Sequence, residues 1–152
     1  MLPDTNERVS VNTADAVNQR LRQKMEDRLL YFEKHPSEIG ARLEELDREW
    51  DTERTLETNA SILALAGVTL GATIDRRWLA LPMLVTGFLL QHALQGWCPP
   101  LPILRRLGIQ TAAEIDEERF ALKALRGDFN DLRGADGSGT SLVRKVLRAI
   151  RA

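Results

Sequence analysis

The chain has almost no sulfur chemistry at its disposal. One cysteine, Cys98, in 152 residues excludes an internal disulfide framework, and a Cys-x-x-Cys redox or zinc site has no second thiol. An excess of charge of one sign is also missing. With 21 Lys and Arg against 22 Asp and Glu, electrostatics make no case for a dedicated nucleic-acid binder. Histidines number two, and neither has a partner that would make a ligand set. The opening run, Met1-Leu2-Pro3-Asp4-Thr5-Asn6-Glu7, lacks the basic and apolar parts of a cleavable signal. Insertion into a membrane would therefore rest on an internal segment. No catalytic residues, cofactor-binding set or metal site emerge, and a non-enzyme is expected.

What the chain does have is a greasy middle between charged flanks. Charges stop at Glu57, resume in the turn Asp75-Arg76-Arg77, and stop again until Arg105. The two segments between are apolar all round rather than on one stripe. They predict an all-α fold built on a transmembrane helical hairpin, with spans over about 58–74 and 78–97. Trp78 and Trp97 would stand about 28 Å apart at helical rise, an indole at each boundary of one hydrocarbon core. The competing reading is a buried helical hairpin in a soluble domain. Arg42, Arg48, Arg54, Arg105, Arg106 and Arg119 flank the hairpin, against Arg76 and Arg77 in its turn. That bias places both termini in the cytoplasm of a bacterial inner membrane.

The flanks read as helices. Residues 1–13 are polar and aperiodic and are expected to be disordered. A cytoplasmic helical region follows over 14–57. Val17, Leu21, Met25, Leu29 and Phe32 line one face of a first helix, which His35-Pro36 ends. Ser37 restarts the chain. Ile39, Leu43, Leu46 and Trp50 then alternate spacings of four and three, a coiled-coil seam. The same phase continues through Glu53, Glu57, Ala60, Ala64, Gly67, Gly71 and Ile74. It predicts one long helix from Glu38 to Ile74 that runs into the first span. Ala60, Ala64, Gly67 and Gly71 would let a partner backbone approach closely, making a homodimer or larger homo-oligomer.

Near the end of the second span stand Gln91, His92 and Gln95. His92 is a weak candidate for a site. It lies close enough to Trp97 to reach the headgroups and stay solvated. Gly96-Trp97-Cys98-Pro99-Pro100 closes the hairpin. Cys98 is the other weak candidate, open to reaction or acylation at the water boundary, although nothing beside it favours a thiolate. Interfacial and cytoplasmic helices are expected over 98–127. Leu101 to Leu107 forms the first of these, and the capping box Thr111-Ala112-Ala113-Glu114 opens the second. Asp116, Glu117, Glu118 and Arg119 read as a solvated face. Residues 128–140 read as a linker. In the basic amphipathic helix 141–152, Arg144, Lys145, Arg148 and Arg151 would lie on anionic headgroups beside the bilayer.

Glu53-Arg54, Gly96-Trp97-Cys98-Pro99, Leu107-Gly108-Ile109 and the run Ala121-Leu122-Lys123-Ala124-Leu125-Arg126-Gly127-Asp128-Phe129 carry a resemblance. The segment from Arg54 through Phe129 resembles a bacterial family of uncharacterised two-helix inner-membrane proteins. In some relatives this unit is fused to a rhodanese domain, where it looks like a membrane anchor and dimerisation element. The rhodanese active-site loop is absent here, so the resemblance implies location and fold rather than sulfurtransferase activity. The expectation is a non-enzymatic inner-membrane protein that self-associates and presents cytoplasmic helices to another protein. The alternatives are a membrane accessory of sulfur transfer, with Cys98 relaying persulfide beside a separate rhodanese, and a small oligomeric channel or exporter lined by Gln91, His92 and Gln95.

Overall fold

A computed structural model describes residues 4–130 and 140–151, and of the last helix the side chains of 143–147 and 150. The described residues are helical and contain no strand, as the periodicity predicts. In order they form α1 (Arg8–Val11), α2 (Asp15–Lys34), α3 (Ile39–Arg48), α4 (Thr52–Thr73), α5 (Ala80–Gln95), α6 (Leu101–Leu107), α7 (Ala112–Arg126) and α8 (Thr140–Arg151). Short 3-10 turns at Pro36–Glu38 and Arg76–Leu79 precede α3 and α5. The chain divides into two compact units, Met1–Arg22 with Trp50–Ala113, and Gln23–Glu49 with Glu114–Ala152.

The long helix expected from Glu38 to Ile74 is two helices. Glu49 leaves α3 in an extended conformation (ψ 136°), and Asp51 is extended too (ψ 171°). Asp51 caps α4 by accepting a 2.6 Å hydrogen bond from the Arg54 amide. Its neighbour Thr52 donates from both N and Oγ1 to the Gln110 carbonyl, at 2.9 and 3.0 Å. An aspartate cap satisfies amides that an uninterrupted helix would have bonded internally, and this fixes the break. Apolar phase continues across the gap, so spacing alone could not reveal it.

The first unit is built on α4 and α5, antiparallel and joined through Asp75, whose side chain accepts from the Arg77 amide at 2.8 Å. Gly67 and Gly71 face α5. A Cβ on Gly67 would sit 2.5 Å from Pro82 Cδ, and one on Gly71 2.6 Å from Leu79 Cδ2. The close approach that the small residues permit is thus used inside the hairpin. The backbone they admit belongs to the same chain. Ala60 and Ala64 are half-buried.

Residues 4–13, expected to be disordered, are ordered by the far end of the hairpin. Arg8 Nη1 donates to Ala93 O at 3.0 Å, and Asn12 Nδ2 to Gln95 O at 2.8 Å. Both acceptors lie in the last turn of α5, where carbonyls have no partner within the helix. Val9 is buried against Leu56, Cys98 and Leu101. In α6, Leu101 is buried while Ile103 and Leu107 are exposed. Arg105, expected to help set membrane topology, is buried. It donates to Thr13 Oγ1, Ile109 O and Asn18 Oδ1.

In the second unit Ile39, Leu43, Leu46, Ile115 and Leu122 form a core, with Leu29 and Phe32 packed on it. The seam read as a coiled coil is therefore the apolar face of α3 turned into its own unit. Trp50 stands outside that core, 47% exposed, with the Arg54 guanidinium over its ring. Of the expected linker, 131–139 lie outside the described residues, and Asp128 pairs with Arg126. In α8, Arg144 and Lys145 are exposed, while the Arg148 and Arg151 side chains lie outside the described residues.

Among the described residues no helix is long and apolar enough to cross a membrane. The 22 residues of α4 open on Glu53, Arg54, Glu57 and Asn59, and α5 has 16 residues between its 3-10 entry and Gly96.

Candidate functional site

At the end of the hairpin away from its turn, four side chains from three stretches of the sequence come together. Glu53 comes from the first turn of α4, His92 from the last turn of α5, Arg8 from α1, and Cys98 from just beyond α5. Gly96 makes the meeting possible. It adopts φ +76°, the left-handed conformation that ends a helix without a Cβ penalty, and a Cβ there would lie 2.2 Å from Arg8 O. The chain turns at Gly96, and Cys98 comes back onto Val9, Leu56 and Leu101.

Both oxygens of the Glu53 carboxyl are engaged. Arg8 Nη2 donates to Oε1 at 2.9 Å, and His92 Nε2 meets Oε2 at 3.0 Å. The hydrogen bond to His92 holds the Glu53 carboxyl below the usual carboxylate range. Burial pushes it up, and the Arg8 guanidinium lowers it further. His92 was expected to reach water at the headgroups, but it is only 2% exposed. With Nε2 committed to a carboxylate, the ring in its neutral form would present its lone pair at Nδ1. That atom is buried and makes no hydrogen bond. The Cys98 thiol interacts with this ring, and Cys98 is itself buried rather than set at a water boundary.

Cys98 also forms part of the wall of a groove of about 470 Å³, walled further by Leu56, Leu63, Leu84, Val85 and Phe88. This lining is almost wholly apolar. The size falls in the range of pockets that hold small organic ligands. So the two weak candidates in the sequence, His92 and Cys98, share one site, and the site adds two residues that spacing could not supply. Glu53 lies 39 residues from His92 and Arg8 lies 45 from Glu53. The sequence placed Glu53 on the seam that runs on to Ile74 and in the Glu53-Arg54 pair, and neither pointed to a site. Gln91 is half-buried, while Gln95, Trp78 and Trp97 are exposed. Among the described residues no group of three or more His, Cys, Asp or Glu could hold a metal.

The second unit holds its own buried carboxylate. Glu118, read as part of a solvated face, is fully buried. It accepts from Arg28 Nε at 2.9 Å and Arg42 Nε at 3.0 Å. Burial pushes its carboxyl up, but the two guanidiniums more than offset this and hold it below the usual range. Asp116 and Glu117 are exposed, and Arg119 pairs with Asp47. With its carboxylate saturated by two guanidiniums, this cluster reads as structural. No family model, curated protein or solved structure matches the chain.

Proposed function

We propose that this chain is a bacterial inner-membrane protein, not an enzyme, whose hairpin is set in lipid with both termini on the cytoplasmic side. It self-associates there and offers its second helical unit to partner proteins. One observation carries the reading. Large apolar side chains of the hairpin point away from the protein: Leu65, Ile74, Met83 and Leu90 are 60–75% exposed. Exposed apolar surface of that extent marks an interaction with lipid or with protein. The uncharged stretch is bounded by Glu57 on one side and Asp75-Arg76-Arg77 on the other. The resemblance to two-helix inner-membrane proteins points the same way.

The α-helical part of each arm is short for a bilayer. From Ala60 to Ile74 the first arm rises about 22 Å, and α5 alone rises about 24 Å. The second arm gains length from Trp78 and Leu79 in the 3-10 turn and from Gly96 and Trp97. A short apolar length is accommodated by local thinning of the bilayer or by oligomerisation. Because Gly67 and Gly71 are occupied within the hairpin, self-association uses the outward face that carries Leu65. Of the three residues in the channel reading, His92 is bonded to Glu53, which favours the non-channel reading.

Topology tests the proposal. In a Cys98→Ser background, single cysteines replacing Arg76 and Asp4 are labelled with a membrane-impermeant maleimide. Arg76→Cys is expected to react from the outer face and Asp4→Cys only after lysis. Labelling of both from the same face without lysis contradicts the reading.

A further inference from the structure

We propose that Cys98 is an S-acylation site that takes a long acyl chain from a coenzyme A thioester, with the chain lodged in the apolar groove beside it. Two independent observations carry this. The first is the groove itself, about 470 Å³, in whose wall Cys98 offers the one nucleophile. A chain of methylenes is the ligand that such a lining recognises, because each CH₂ moved out of water stabilises the complex by hydrophobic transfer alone. A persulfide acceptor would need no such groove. The second is the buried Nδ1 of His92, which has no hydrogen-bond partner. An unpaired buried ring nitrogen is costly, and here it belongs to a histidine whose other nitrogen is fixed by a carboxylate. Carboxylate, imidazole and thiol in that order are the parts of an activated nucleophile.

The chemistry balances with one co-reactant. Cys98 Sγ attacks the thioester carbonyl and its proton moves to His92 Nδ1. The new carbon–sulfur bond forms as the bond to coenzyme A breaks. The departing coenzyme A thiolate takes the proton from Nδ1. No oxidant or reductant is involved. His92 acts as the base. Glu53 is a positioning residue, held in turn by Arg8 at 2.9 Å. It fixes the ring so that Nδ1 carries the lone pair, and it stabilises the transient imidazolium.

This inference does not depend on the hairpin's being in lipid and is tested in detergent micelles. The full chain is incubated with palmitoyl-CoA or acetyl-CoA and followed by intact mass. A gain of one palmitoyl group, reversed by neutral hydroxylamine and absent in Cys98→Ser, is expected. Palmitoyl should react at least about tenfold faster than acetyl, and Leu84→Trp, which fills the groove, should erase that preference. His92→Gln should slow acylation by about 100-fold. Glu53→Gln should slow it less, with circular dichroism unchanged. The proposal is overturned if no hydroxylamine-labile adduct forms on Cys98. It is equally overturned if acetyl and palmitoyl react alike, or if folded His92→Gln or Glu53→Gln protein reacts at the parent rate.

Discussion

The two units of this chain differ in where most of their large apolar side chains lie. In the second unit Ile39, Leu43, Leu46, Ile115 and Leu122 are buried, and the charged residues of the same helices lie mostly outside. In the first unit a smaller apolar cluster, Val9, Leu56, Cys98 and Leu101, is buried beside Thr52, His92, Arg105, Gly67 and Gly71, while Leu65, Met83 and Leu90 are outside. An apolar core stabilises a unit whose surroundings are water. Apolar exteriors with small or polar contacts inside suit surroundings that are not water. Under the proposed reading the contrast is between two solvents, and both patterns occur within 152 residues.

Gly96→Ala should have the largest effect. It forces a Cβ into the left-handed region and onto the Arg8 backbone. A loss of about 4 kcal/mol, or failure of the first unit to fold in detergent, is expected from strain and clash together. Thermal unfolding checks it, and a variant as stable as the parent would mean that α1 does not dock on α5.

Next comes Glu118→Ala, which removes the buried carboxylate and leaves Arg28 and Arg42 facing one another. The expected cost is about 3 kcal/mol, confined to the second unit. The same carboxylate makes that unit acid-sensitive. Its folded pKa lies below the ordinary value of 4.5. Its contribution is therefore full above that value and is lost as pH falls through the folded one. Acid titration of the parent should show this loss, and the Glu118→Ala variant should lack it.

The comparison is sharpest in a pair of leucines. Leu122→Ala empties a fully buried site and should cost about 3 kcal/mol in the second unit. Leu65→Ser, on a side chain 69% exposed, should cost under about 0.5 kcal/mol in detergent. Equal losses in the two variants would dissolve the distinction between the units.

Much of the fold was readable from local pattern. α2 ends just before His35-Pro36, α7 begins at Ala112 directly after Thr111, and the spacing of Ile39, Leu43 and Leu46 gave the buried face of α3. What escaped was long-range or hidden by phase. Asp51 caps α4 in the middle of a seam whose spacing never falters. Gly67 and Gly71 announce that a backbone comes close but not whose it is. Glu118 pairs with residues 76 and 90 positions away, so its neighbours in sequence, which are exposed, gave the wrong surroundings. Arg8 and Glu53 joined the site for the same reason.

The most direct measurement is where the intact chain goes when cells are broken without detergent. The account predicts that it sediments with the membranes, stays there through an alkaline carbonate wash, and is released only by detergent. Recovery as a compact monomer in the high-speed supernatant would contradict it.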